Sequence, residues 1–139
     1  MLPDGMKIYP SSHEPKVTMG RLVAAVIDHG MAIVARIDHA SAATKVGLEL
    51  RPTEVLLFGN PLVGTQLMQV SQTTGIDLPL KALVWQDQEG RTWLGYNDPR
   101  WIATRHGIEA GAQQAVAAMA DVLAAIAHVV VGEKPGETP

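Results

Sequence analysis

Asp38 and His39 stand side by side where a largely apolar run, Met31 to Ile37, gives way to small residues. A carboxylate beside an imidazole is the pair that general acid–base chemistry uses, the first orienting the ring and the ring moving the proton. Adjacent residues leaving a strand rarely point at each other, so catalysis here would need a third group, for which Arg36 and Lys81 are the candidates. Lys81 is a charge within the apolar run Leu80 to Gln86. It either snorkels to water from a wet sheet face or, on a concave sheet, holds an anion or serves as a base. The simpler reading makes Asp38 a helix N-cap, its side chain accepting from a backbone N–H two or three residues on, with His39 in the first turn.

Asn60-Pro61 and Asp98-Pro99 repeat one device, a capping side chain followed by a proline where no N–H is needed. Helix N-termini also attract anions, so two of them facing one cleft would suit a phosphate or carboxylate. Trp85, Trp93 and Tyr96 lie near one hairpin and hold most of the aromatic surface. They serve either as core or dimer-interface packing or as a wall on which a ligand stacks. The candidate ligand-binding set is therefore Arg36, Asp38, His39, Asn60, Lys81 and Tyr96, and the candidate catalytic set is Asp38, His39 and Lys81. Glu54, at the start of a strand, has Arg51 or Lys81 as possible partners and is read as a surface residue.

No metal or cofactor is expected. There is no cysteine, and the histidines at 13, 29, 39, 106 and 128 never fall four apart. His29-Gly30 and His106-Gly107 read as helix ends, the glycine taking the left-handed position. A net charge of −3 without a Lys/Arg run argues against nucleic acid. The first residues lack an apolar signal region, and the apolar stretch ending at Val129 to Val131 is broken by Asp121 and His128. A cytoplasmic chain that neither enters nor spans a membrane is the expectation.

The elements that must position these groups follow from periodicity. Short strands are predicted at 6–10, 31–37, 54–58, 80–86 and 92–97, the last two joined by a turn at Asp87 to Gly90. In the fourth strand Lys81, Leu83 and Trp85 share one side, and Ala82 and Val84 the other. Helices are predicted from Val17 to Asp28, from Asp38 to Gly47, from Asn60 until Thr73-Thr74-Gly75, and from Asp98 to Arg105. Gly59, before the Asn60 cap, is expected to have positive φ. The last helix, about Glu109 to Val131, carries Ala112, Val116, Met119, Leu123, Ile126 and Val130 as a heptad-like seam. That seam packs either on the domain's own sheet or on a partner chain. The result is one α+β domain over 1–132 with a largely antiparallel sheet covered by helices, and a polar, disordered tail at 133–139.

The phrases ARIDHASAATKVGLELRPTEVLLFGNP, GIDLPLKALVW and GYNDP resemble the bacterial and archaeal family called domain of unknown function 302, over about residues 31–107. The resemblance implies an antiparallel α+β domain of the TATA-binding-protein-like βαββ type and a tendency to homodimerise. It carries no reaction and no catalytic residues, and the long C-terminal helix lies beyond it. The expected function is a homodimeric module that binds a small ligand, anions among the candidates, or a protein partner, without catalysis. The alternative is an enzyme built on Asp38, His39 and Lys81.

Overall fold

The computed structural model describes residues 2–108 and 112–132. The expected helix start at Glu109 and the expected tail at 133–139 lie outside the described residues. In chain order the elements are β1 (Met6–Ser11), α1 (Pro15–Asp28), β2 (Ala32–Asp38), α2 (His39–Lys45), β3 (Thr53–Gly59), α3 (Pro61–Val70), a 3-10 turn (Gln72–Ile76), β4 (Leu80–Gln86), β5 (Thr92–Asn97), α4 (Pro99–Arg105) and α5 (Gln113–Val131). The five strands form one antiparallel sheet in the order β1-β5-β4-β3-β2, so β1 and β2 are its edges. This is the α+β architecture expected, with the long C-terminal helix in place.

The capping residues act as their types require. Asp38 accepts from the Ser41 amide at 2.9 Å, Asn60 from Leu62 at 3.0 Å and Asp98 from Arg100 at 3.0 Å. Each satisfies one of the donors that a helix start leaves unpaired. The third helix is shorter than periodicity suggested. It stops at Val70 because Ser71 is extended (φ −145°), and Thr74 Oγ1 then donates to the Ser71 carbonyl at 2.6 Å. Such local bonds from Ser and Thr compete with helix continuation, and the chain proceeds as a 3-10 turn instead.

Strand alternation decides the layers. Leu56 and Phe58 of β3, Ala82 and Val84 of β4, and Leu94 and Tyr96 of β5 point to one face, where they bury Met19, Leu22 and Val26 of α1 and Leu123, Ile126 and Val130 of α5. The seam of α5 therefore packs on its own sheet, which settles the choice the heptad pattern left open. The opposite face carries Leu57, Lys81, Leu83, Trp85 and Trp93, all half-buried, with the two indoles stacked at 6.5 Å between centroids. A satellite cluster of Leu67, Ala103, Ile108 and Val116 joins α3, α4 and the start of α5.

Gly59 does not have positive φ. It is an ordinary strand residue at the end of β3, since the extended Asn60 makes the turn into α3 without a left-handed residue. Gly30 and Gly107 take the left-handed conformation expected of helix ends, and so does Gly5 (82°), where the Trp101 ring covers the side on which a Cβ would project. The α5 helix is the one among the described residues long and apolar enough by composition to cross a membrane, contrary to the expectation from Asp121 and His128. In the fold it is a core helix, its buried stripe seated on α1 and the sheet.

Candidate functional site

The residues singled out in the sequence do not gather at one place. Asp38 caps α2, and its side chain lies 4.0 Å from the exposed Lys16 ammonium. His39 is exposed in the first turn of α2. Arg36 grips Glu54 through two bonds, Nε to Oε2 at 2.6 Å and Nη2 to Oε1 at 3.2 Å. This bidentate pair raises the Arg36 pKa above its ordinary value, chiefly through the hydrogen bond. Glu54 thus pairs with Arg36, its neighbour across the sheet, rather than with Arg51 or Lys81. Lys81 stands opposite Leu57 on the face away from the main core, whereas Asp38 stands opposite Glu54, whose side alternates with that of Leu57. Asp38 and Lys81 consequently occupy different faces and strands that are not neighbours.

Tyr96 lies on the core face, its hydroxyl 3.1 Å from that of Tyr9. Burial, reinforced by the Tyr9 hydrogen bond, pushes its phenol well above the usual range. It is a structural contact rather than a proton carrier at neutral pH. Of the six expected ligand residues, Asn60 alone borders a cavity of useful size.

That cavity is a groove of about 580 Å³ at the end of the sheet where β2 begins, β3 ends and β4 begins. The α3 helix supplies Val63, Gly64 and Met68, the β2 strand Val34, the approach to β4 Leu78 and Pro79, and α5 Ala118, Met119 and Val122. Gly64 matters because its missing side chain leaves room in front of Leu78. Among the described residues no Asp, Glu, Lys or Arg lines the groove, and its polar groups there are those of His29, Asn60, Thr65 and Gln66. His29 is anchored by its Nδ1 at 2.8 Å from the Ala25 carbonyl. Three methionines, 31, 68 and 119, contribute to the wall. Their unbranched thioethers adapt to irregular shapes. Spacing carries no sign of the groove, because an apolar residue lining a groove has the same pattern as one in a core.

A second feature also went unread. Asp77 ends the 3-10 turn, and its side chain is only 10% exposed. Both its oxygens accept from Arg105 Nη1 at 2.9 Å, and Oδ2 lies 2.5 Å from His106 Nε2. The other ring nitrogen of His106 is 2.8 Å from Thr73 Oγ1, so hydroxyl, imidazole and carboxylate form a continuous line. Burial pushes the Asp77 pKa up, but the His106 hydrogen bond and the Arg105 charge outweigh it and leave it below the usual carboxylate range. In sequence His106 reads as a helix end and Asp77 carries no signal of its own. Their separation of 29 residues hides the pairing. The arrangement ties the 3-10 turn, which carries the Gly75 wall of the groove, to the end of α4. Among the described residues no three His, Asp or Glu side chains gather as a metal site would require.

The model of the family described as domain of unknown function DUF302 matches residues 8–126, and the chain belongs to that family. The match reaches well past residue 107 and takes in most of α5, so the C-terminal helix is part of the family domain rather than an addition to it. The crystal structure of an uncharacterised conserved DUF302 protein from Bacillus stearothermophilus superposes with a TM-score of 0.79 at 21% identity, over 89% of this chain and 96% of that one. That likeness shows the fold. Proteins named fluoride-specific ion channel FluC 1 in Brucella suis and Brucella abortus are 38% identical over 133 residues, or 96% of this chain. The chain spans about half of those relatives, 52% and 49% respectively.

Proposed function

We propose that this DUF302 domain is a binding module whose ligand is a small, uncharged and mostly apolar molecule held in the groove beside α3 and α5. The carrying observation is the lining: a groove of about 580 Å³ with methionine and aliphatic walls and, among the described residues, no carboxylate, ammonium or guanidinium. Small-molecule sites are typically concave, about 300–1,000 Å³, and mostly apolar with a few polar groups for orientation. An anion would be desolvated there with no cation to offset the cost, which turns the reading away from an anionic ligand. His29, Asn60, Thr65 and Gln66 supply the hydrogen-bonding groups that would orient a neutral ligand. Catalysis by Asp38, His39 and Lys81 has no geometric support, since general acid–base work needs groups within hydrogen-bond reach of one reacting atom.

The test is a native mass spectrum of protein purified gently from its own host, with an Ala118→Trp variant alongside. Ala118 is exposed and borders the groove, so an indole there fills space without entering the core. A reproducible extra mass on the wild type that is absent from the variant supports the reading. A wild type without adduct, and without affinity for the neutral apolar dye N-phenyl-1-naphthylamine, overturns it.

A second reading draws on the Brucella relatives, in which the matched stretch shares one chain with a further stretch of similar length. On this reading the domain serves as a partner of a fluoride channel. Unchanged fluoride tolerance in a host lacking this chain counts against that role.

A further inference from the structure

His29 closes α1, and its ring is tied down at one point. Its Nδ1 lies 2.8 Å from the Ala25 carbonyl, which also accepts from the His29 amide at 3.0 Å. A carbonyl oxygen only accepts, so Nδ1 carries a hydrogen. In the neutral imidazole the other nitrogen, Nε2, is then a bare acceptor. Among the described residues no group donates to it. The ring lines the groove, which therefore holds an acceptor whose sense is set by the fold rather than by a free choice of tautomer.

Asn60 supplies the complement. Its Oδ1 accepts from the Leu62 amide at 3.0 Å as the cap of α3, so the other end of the side chain, Nδ2, is a donor. Among the described residues Nδ2 has no acceptor. The β2–β3 ladder pairs Ala32 with Gly59, which brings the chain at Met31 and at Asn60 to one end of the sheet. A single glycine separates His29 from Met31. The groove thus has one acceptor and one donor of fixed sense at the same end. Thr65 and Gln66, a turn further along α3, carry both donors and acceptors and select neither. Leu78, Met68, Met119 and Val122 continue the wall without hydrogen-bonding groups of consequence.

We propose that the groove selects an apolar molecule bearing a hydroxyl group, an alcohol or a phenol, whose O–H donates to His29 Nε2 and whose oxygen accepts from Asn60 Nδ2. The inference rests on the groove reading above and adds the head group to it. A hydroxyl is the smallest neutral group that donates and accepts through one atom. A ketone or an ether has no hydrogen to give, and leaves Nε2 unpaired once the ligand has displaced water from it. An ammonium or a carboxylate meets no opposite charge among the described wall residues.

The experiment is isothermal titration calorimetry of the full chain at pH 8 with 1-naphthol and with 1-methoxynaphthalene, which share an apolar body and differ in the hydroxyl hydrogen. Both titrations are repeated on His29→Phe, which keeps a flat ring and removes the acceptor. His29 is exposed, and circular dichroism confirms that the variant folds. The quantity read is the ratio of the two affinities, because the extra methyl of the ether has a hydrophobic contribution of its own. The expected result is that the preference for 1-naphthol falls about fivefold in His29→Phe, the worth of one neutral hydrogen bond, while 1-methoxynaphthalene binds both proteins alike. A ratio unchanged by the substitution overturns the hydroxyl inference and leaves the groove reading intact. A folded variant that binds neither ligand makes His29 a part of the wall rather than a reader of the hydroxyl, and overturns the inference too. A wild type that binds neither ligand also overturns it, and N-phenyl-1-naphthylamine then decides the groove reading separately.

Discussion

Asp77→Asn removes one charge at nearly constant volume from the point where the 3-10 turn meets α4. The wild-type carboxylate accepts two bonds from Arg105 and one from His106, whose side chain is only 6% exposed. Hydrogen bonds to a charged group contribute about 1.5–3 kcal/mol each. The Arg105 share must be discounted because that side chain is 50% exposed and recovers water. The His106 bond survives in part through the amide oxygen, so the net loss should be about 2 kcal/mol. For a domain of this length that lowers Tm by about 6–8 °C. The sign with pH follows from the lowered Asp77 pKa. A carboxylate stabilised in the fold contributes fully above its unfolded value near 4, and the contribution fades as pH falls through the lower folded value. Thermal melts of both proteins from pH 7 to pH 2.5 should therefore show a gap that is largest at neutral pH and closes at the acid end. Equal stability at pH 7, or a gap that stays constant to pH 2.5, refutes the argument.

Leu123 is 2% exposed in the core between α5 and the sheet, so Leu123→Ala should cost about 2–5 kcal/mol, read as a lower urea midpoint. Its oligomeric mass should be unchanged, since the seam packs within the chain. Gly5→Ala should cost about 2 kcal/mol, because φ is 82° and the new methyl meets the Trp101 ring. An unaltered melt would show that the turn and ring relax freely. Gly59→Ala, by contrast, should change stability by no more than about 1 kcal/mol, and in the stabilising direction. Its φ is not positive, and the added Cβ would sit 3.7 Å from the nearest Pro79 carbon.

Much of the fold was legible because it rests on local rules. Asp38, Asn60 and Asp98 cap helices as their side-chain chemistry and following residues indicate, and alternation placed Ala82 and Val84 opposite Lys81, Leu83 and Trp85. What stayed hidden depends on tertiary geometry. The Arg36–Glu54 pair needs the β2–β3 register, and the Asp77–His106 contact needs α4 to fold back on a turn 29 residues earlier. Neither can be read from spacing. The heptad pattern of α5 was equally compatible with a partner chain, because periodicity reports that a stripe is buried and not against what.

The candidate residues scatter across the fold for a related reason. Reading chemistry from a sequence favours ionisable residues, and here those residues are structural: Asp38 caps, Arg36 and Glu54 neutralise each other, and Asp77 braces a turn. The cavity is instead made by residues that look like core, and by absences: the missing Gly64 side chain, the small Ala115 and Ala118, and a bulge that takes Val34 out of register. The groove of about 580 Å³ is open to solvent, so its apolar walls keep surface in water that a neutral ligand would bury. A fold that keeps such a groove open has its binding energy available in the apolar wall.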